Sequence, residues 1–450
     1  MRATGAGEMR AQTVALDKRH VWHPYTPMQQ YIANVDPLVI TRAKGVYLED
    51  ANGRRYIDGN SSWWVAALGH GHPRLLRALA NQAETLAHCA LAGITHEPAA
   101  KLAEELVAVA PRGLNHVFYS DNGSTAIEVA VRMAGQMWQQ VGQPRKKRFV
   151  ALEGAFHGDT LGAACLGGID VFRGGMGGVT FDLVRLPVVG SGQGDGAYAA
   201  GYEAIAGVIS RCSDEIAAVV VEPIVQGAAG MRIVPPEYLK QVSNACARHD
   251  VLLIADEVFS GYGRTGAMWG CEHAGVVPDI MCIGKAFASI IPMAATLASD
   301  RVFEAFLGDK SQALYYGHTF SGNPIGAALA REVLAIYRDE KVLEQVARNA
   351  PVIARAFERI SAIRGVTRVR SIGMIGAADL EAPVSSDEGG ARGGYFGEIG
   401  WRVYEEGLKR GAYLRPLGST VYVAPPLVIS ERELTELMTI FEESVRAALK

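Results

Sequence analysis

The middle of the chain alternates between continuous apolar runs and amphipathic stretches. HVFYS (116–120), RFVAL (148–152), IAAVVVEP (216–223), VLLIADEV (251–258) and IMCIGK (280–285) are short and rich in strand-forming residues. Several lack the in-out alternation of a half-exposed strand, which predicts strands covered on both faces, as in a parallel sheet. Between them, STAIEVAVRMAGQMWQQ (124–140) and PEYLKQVSNACARHD (236–250) read as helices. Together these predict an α/β protein with a mostly parallel sheet sandwiched by helices. Nearer the start, LVITRAKGVYLEDANGRRYID alternates with period two around Ala51-Asn52-Gly53, a hairpin signal. Beyond residue 330, REVLAIYRDEKVLEQVARNAPVIARAFERI predicts one long helix. Strands near VTRVRSIGMIGAADL and AYLRPLGSTVYVAPPL follow, then a closing helix, ERELTELMTIFEESVRAALK. Residues 1–70, 71–330 and 331–450 are therefore expected as an N-terminal segment, a large domain and a smaller α+β domain. EAPVSSDEGGARGGYFGE (381–398) is polar and glycine-rich and reads as a mobile loop.

Composition narrows the function classes. The chain has 450 residues, 49% hydrophobic and 20% charged, with a formal net charge of -3. Those values fit a soluble globular protein with a large core and give no basic surplus for nucleic acid. No apolar run is long enough to span a bilayer. The six cysteines are scattered without a CxxC pair, which suits free thiols in a reducing cytoplasm rather than a disulfide framework or a structural zinc. His70, His72 and His157 have no further ligands at metal spacing, so no metal site is expected.

Three constellations carry chemistry. In HVFYSDNGSTAIEVA a strand ends at Ser120 and a helix begins near Ser124; a helix N-terminus with Gly123 and a serine hydroxyl is a natural phosphate seat, although Asn122 or Ser124 could simply cap the helix. In VLLIADEVFSGYGRTG, Asp256 closes a buried strand and needs a cation, either a protonated ring nitrogen or Arg264. Glu257 points to the opposite face of the strand and has the more structural part. Lys285 lies in the apolar stretch IMCIGKAFASIIP, where burial lowers its pKa and makes it a nucleophile able to form an imine. About one strand-helix-strand unit separates Asp256 from Lys285, so both are expected at carboxyl ends of strands in one sheet. A phosphate seat, a buried aspartate and a desolvated lysine in this order fit pyridoxal 5'-phosphate.

At these residues the chain resembles a known family. LLIADEVFSGYGRTG followed by PDIMCIGKAFA is similar to the signature of the class III pyridoxal-phosphate aminotransferases. YIDGNSSWWVAALGHGHPRL, DNGSTAIEVAVRMA, GAFHGDTLGA, VVVEPIVQGAAGM and GHTFSGNPIGAALA extend the likeness over nearly the whole chain. The resemblance implies the type I fold of these transferases: a large domain with a seven-stranded-type sheet, and a smaller α+β domain drawn from both termini. HVWHPYTPM, SSWW (61–64), GITHEPA (93–99) and YLRPLGSTVYVAPP resemble the branch acting in biotin synthesis. That implies transamination of 8-amino-7-oxononanoate to 7,8-diaminononanoate with S-adenosylmethionine, or in some relatives lysine, as donor. The alternative is another class III transaminase acting on ω-amino acids, diamines or amines.

Carried over residue by residue, the resemblance makes Lys285 the cofactor-linked base and Asp256 the partner of the ring nitrogen. Gly123 and Ser124 would hold the phosphate, while Thr319, preceded by His318, would reach the phosphate of a neighbouring subunit in a homodimer with shared sites. Val258 would pack against the ring, and Phe156, followed by His157, would occupy the stacking position. Tyr25, Trp63, Trp64, Phe156 and Gly317 would line the substrate pocket, and Arg415 would receive a carboxylate. Adjacent tryptophans on an extended segment diverge, so at least one of the pair is expected to face a cavity. Three departures stand out. Phe156 replaces a tyrosine; AFASIIPM after Lys285 replaces a pattern like ALTGGY; and Ala228 and Ala229 stand where many relatives carry a glutamate that pairs with the pocket arginine.

Overall fold

The structure, a computed structural model, describes residues 5–169, 172, 181–187, 195–381 and 397–450. Most of the expected 381–398 loop lies outside the described residues. Strands β1 (Ile40–Lys44), β2 (Tyr47–Asp50) and β3 (Arg55–Asp58) form an antiparallel ladder. The β2–β3 turn holds Gly53 at a φ of 80°, as the Asn-Gly signal requires. Next come β4 (Leu114–Ser120), β5 (Arg148–Leu152), β6 (Leu183–Leu186), β7 (Ile216–Val221) and the two-residue strands β8 (Val225–Gln226) and β9 (Arg232–Ile233). The chain continues through β10 (Leu252–Asp256), β11 (Ile280–Ile283), β12 (Ala294–Ser299), β13 (Val366–Ile372), β14 (Ile375–Leu380), β15 (Ala412–Tyr413) and β16 (Thr420–Val423).

The large sheet has seven strands in the order β4-β12-β11-β10-β7-β5-β6. All its pairings are parallel except those of β12, which runs antiparallel to β11 and β4. Side chains along its central strands alternate between two cores. Val220, Leu252 and Ile254 join the helix Gly123–Gln140 through Ala126, Ile127 and Ala130. Val219, Val221, Leu253 and Ala255 join the helix Pro236–Arg248 through Leu239 and Val242. Burial on both faces explains the unbroken apolar runs. Each fully buried valine or isoleucine contributes about 1.5–3 kcal/mol, so a charge at Val220 would break the sheet.

Two large-sheet strands, β6 and β12, escape the hydrophobic pattern. LVRL is a short edge strand, and AATLAS is rich in alanine, a weak strand former. The long C-terminal helix is two helices, Pro324–Asp339 and Val342–Ser361. Lys341 adopts a left-handed φ of 53° between them. Both helices bury apolar faces in the same core, so the hydrophobic period continues through the break and conceals it. The N- and C-terminal parts share a sheet of order β1-β2-β3-β15, in which Ala412 pairs with Ile57. A separate sheet of order β13-β14-β16 completes the C-terminal part.

Candidate active site

A cavity of about 710 Å³ opens where β10 and β11 end. Its walls include Trp64, Gly123, Ser124, Phe156, His157 and Asp256, together with Val258 and Lys285. Eight residues singled out in the sequence thus meet in one place. The parallel register pairs Asp256 with Cys282, three residues before Lys285, so both reactive side chains leave the same sheet edge, as open α/β folds favour.

Asp256 is buried at 5% exposure. Its Oδ2 lies 2.7 Å from His157 Nδ1, and its Oδ1 accepts from the Val258 N–H at 3.1 Å. Arg264, the other candidate partner, instead donates to the Pro425 carbonyl at 2.7 Å and to Ser61 Oγ at 3.3 Å. Burial opposes protonation of His157, but the hydrogen bond and charge of Asp256 raise its pKa above the usual histidine value. Glu257 points away and accepts from the Gly270 and Cys271 N–H groups at 2.9 and 2.8 Å, pinning a neighbouring loop.

Lys285 has the left-handed φ of 49° and makes no ion pair among the described residues. Its Nζ lies 4.6 Å from the Trp64 ring centroid and 5.6 Å from that of Phe259. Burial lowers its pKa to about 8, with Asp256 and Glu222 pulling the other way. A lysine so placed has a much larger neutral fraction near pH 8 than an exposed one.

At the other end of the cavity the helix Gly123–Gln140 begins with a capping box: Asn122 Oδ1 accepts from Thr125 N–H at 3.0 Å, and Thr125 Oγ1 accepts from Asn122 N–H at 3.1 Å. Asn122 is therefore the cap, and Ser124 turns towards Thr160, whose N–H donates to Ser124 Oγ at 2.9 Å. Gly123 is required by space, since a Cβ there would lie 2.5 Å from Val258 Cγ1. These features fit pyridoxal phosphate: a helix N-terminus open to a phosphate, a buried carboxylate for a ring cation, and a buried lysine with no ion pair among the described residues.

Ser61–Trp64 is not extended. Its φ values are 48°, 44°, 65° and 73°, a left-handed turn costing roughly 1–2 kcal/mol per residue. Ser61 Oγ donates to the Ala424 carbonyl at 2.6 Å, Ser62 Oγ to Asp58 Oδ2 at 2.7 Å, and Trp64 Nε1 to Tyr422 OH at 3.1 Å, which hold it. Trp64 is buried in the cavity wall while Trp63 is 39% exposed. Trp63 lies outside the cavity lining, as do Tyr25 and Arg415. They cluster beside it: the Tyr25 and Trp63 rings are 5.4 Å apart, and the Arg415 guanidinium sits 4.8 Å over Trp63. Tyr25 OH donates to Asp159, a cavity residue. Arg415 makes no ion pair among the described residues, and its N–H is held by Asn60 Oδ1 at 2.6 Å. Gly317 and Thr319 are exposed outside the cavity, while His318 Nδ1 lies 2.9 Å from Asp121 Oδ2, on the cavity wall.

Sequence reasoning missed Glu222. It closes the apolar run of β7 just as Asp256 closes β10, so the same signal was present. Burial, reinforced by the charge of Asp256, raises its pKa to about 7 against the pull of His157 and two hydrogen bonds. Its carboxylate accepts from the N–H groups of Phe156 and Gly227, both at 3.0 Å, and so ties together two segments of the cavity wall. Asp159, Phe259 and Ser289 also line the cavity with no pattern to reveal them.

Comparison with known proteins agrees with this geometry. The class-III aminotransferase family model matches residues 30–445, and the chain belongs to that family. It is a pyridoxal-phosphate-dependent aminotransferase. An adenosylmethionine-8-amino-7-oxononanoate aminotransferase of Geobacter sulfurreducens is 39% identical over 95% of this chain and 96% of its own. The crystal structure of the enzyme of that name from Methanocaldococcus jannaschii superposes with a TM-score of 0.91 at 31% identity, covering 97% of this chain and 99% of that one. An omega transaminase from Pseudomonas jessenii in complex with PMP gives a TM-score of 0.88 at 29% identity, covering 96% and 97%.

Proposed function

We propose that this chain transfers an amino group from S-adenosylmethionine to 8-amino-7-oxononanoate, forming 7,8-diaminononanoate for biotin synthesis. The observation that carries this reading is the Arg415–Trp63–Tyr25 cluster beside a cavity built around Lys285 and Asp256. It supplies, for a carboxylate, a guanidinium with no ion-pair partner among the described residues, and aromatic faces for an aliphatic chain. Relatives carrying the corresponding name, 33–39% identical over nearly their full length, support the same acceptor and donor. Bound pyridoxal phosphate supplies an amino carrier and an electron sink.

The chain's own residues then have distinct tasks. Asp256 would hold a proton on the cofactor's ring nitrogen, and His157 fixes the carboxylate. Lys285, partly neutral near pH 8, would take the proton from the donor's amine-bearing carbon and pass it to the cofactor carbon that receives the amino group, and in the acceptor half-reaction would deliver a proton to the acceptor carbon. Gly123, Ser124 and the helix N-terminus would seat the phosphate, while Trp64, Phe156 and Val258, in the same cavity wall, would exclude water around the cofactor. Ala228, in the cavity wall, offers Arg415 no internal carboxylate, which leaves it free for the substrate. The exposure of Gly317 and Thr319 supports a homodimer in which they complete the partner's site, and six scattered cysteines without a CxxC pair support a reducing cytoplasm. No described helix is long and apolar enough to cross a membrane.

Adding S-adenosylmethionine to the yellow enzyme, then 8-amino-7-oxononanoate, tests the reading. Bleaching of the absorbance by the donor and its return with the acceptor are expected. Bleaching by simple ω-amines only would favour a different class III substrate.

A further inference from the structure

A second cleft, of about 400 Å³, lies behind the loop Gln226–Gly230 and shares Ala228 with the active cavity. It is lined by the guanidinium groups of Arg232, Arg368 and Arg370 against the carboxylate of Asp379, the one carboxylate among the described lining residues. That carboxylate is fully used: Oδ1 accepts from Arg370 and Thr420 at 2.8 and 2.7 Å, and Oδ2 lies 2.6 Å from Arg368. Arg370 is also occupied by the carbonyls of Gly230, Met231 and Arg368. Arg232 has no carboxylate among the described residues; its side chain makes one hydrogen bond there, a 3.3 Å contact to the amide oxygen of Gln226. Burial and the charges of Arg368 and Arg370 weaken its hold on its proton, against the pull of Glu222 and Glu153. A partly buried guanidinium facing two more cations across a cavity, with Glu222 and Glu153 acting on it only at a distance, has no ion-pair partner among the described residues.

We propose that this cleft is a binding site for a small anion, a phosphate or a carboxylate, received by Arg232. The planar fork of arginine matches both oxyanions. Ile169, Ala228, Ala229 and Leu417 supply apolar wall beside it, enough for a short acyl chain behind a carboxylate. The occupant rests on the back of the loop whose Ala228 faces the active cavity.

Calorimetric titration of the holoenzyme, whose cofactor seat is filled, with inorganic phosphate and separately with octanoate tests this. One saturable site per chain is expected for at least one probe, weakened tenfold or more in Arg232→Gln and partly retained in Arg232→Lys. Phosphate binding alone identifies a free oxyanion; tighter octanoate binding identifies an organic carboxylate. Octanoate lodged in the active cavity instead would bind Arg232→Gln as well as wild type. Ala229→Glu gives a second handle. A Cβ built on Gly154 would lie 3.3 Å from both the Ala229 Cβ and an Arg232 guanidinium nitrogen, which puts that guanidinium within reach of a glutamate at 229. It should abolish anion binding and raise the melting midpoint. No saturable site in wild type, or unchanged affinity in both Arg232→Gln and Ala229→Glu, overturns the proposal. Retained cofactor absorbance in every variant separates this result from any failure of the transaminase reading.

Discussion

Lys285 and Asp256 stand at the ends of adjacent parallel strands, whereas Tyr25, Trp63 and Arg415 are brought together from opposite ends of the chain. The first pair is fixed by a sheet buried on both faces; the second set depends on a left-handed turn, ring contacts, cation–π contacts of Arg415 with Trp63 and Trp401, and hydrogen bonds to Asn60 and Asp159. Chemistry common to a family can sit on the rigid part, while the choice of substrate sits where the backbone has more freedom to vary. Damage to the floor should then remove turnover with every substrate, and damage to the rim should act on selected ones.

Lys285→Ala is the hardest test of the floor. Loss of the nucleophile and proton carrier should lower the rate for all amino donors by on the order of 10²–10⁴-fold or more, measured by single-turnover bleaching. Arg415→Ala should lower kcat/KM for 8-amino-7-oxononanoate by roughly 10–100-fold, corresponding to one charged hydrogen-bonding partner of about 1.5–3 kcal/mol. The loss should fall mainly on KM and spare an acceptor without a carboxylate. A uniform loss across acceptors would move Arg415 from rim to floor.

The floor should also show in stability, measured on the apoenzyme. Lys285 has a folded pKa of about 8 against 10.5 for an ordinary lysine. Below pH 8 both states bind its proton and the burial penalty is present in full. Between 8 and 10.5 the unfolded chain holds more protons, so stability rises, by up to about 1.4 kcal/mol for each step of one in pH. Lys285→Met lacks that rise, so the wild-type-minus-mutant difference in denaturant-derived ΔG should climb across this window. Glu222 works in the opposite sense. With a folded pKa of about 7 against 4.5, it keeps a proton the unfolded chain has released, so its contribution falls as pH rises from 4.5 to 7. Glu222→Gln should flatten that fall, and the amide, which cannot accept on both sides, should release either Phe156 or Gly227.

The contrast also explains what could be read from sequence. Strand ends announce themselves: an acid or a lysine after an apolar run, as at Asp256 and Lys285, and equally at the overlooked Glu222. Helix starts do too, through Asn122 and Gly123. The Ser61–Trp64 turn does not, because a left-handed run without glycine contradicts local preference and is imposed by tertiary hydrogen bonds to Asp58, Tyr422 and Ala424. The antiparallel β12 is hidden by its alanines, and the helix break at Lys341 by an uninterrupted hydrophobic period. Residues on the rim are named only through family resemblance, since nothing in their spacing joins positions 25, 63 and 415.

The segment after Lys285 belongs to neither class, and a small stability effect can place it. Ser289 is 5% exposed, has a φ of 58°, and its hydroxyl has no hydrogen-bond partner among the described residues. It lines the cavity together with Ile290, Ile291, Pro292 and Met293. A serine in that conformation costs roughly 1–2 kcal/mol more than a residue without a Cβ, and its buried hydroxyl adds a further penalty. Ser289→Gly should therefore stabilise the apoenzyme by about 1 kcal/mol, the entropy of the new glycine taking back part of the gain. If the hydroxyl serves a bound molecule, the same change and Ser289→Ala should both weaken cofactor or substrate affinity, although only the glycine relieves the backbone. Equal affinity in all three proteins would make Ser289 a structural burden of the AFASIIPM segment. Parallel loss in both variants would extend the floor to it.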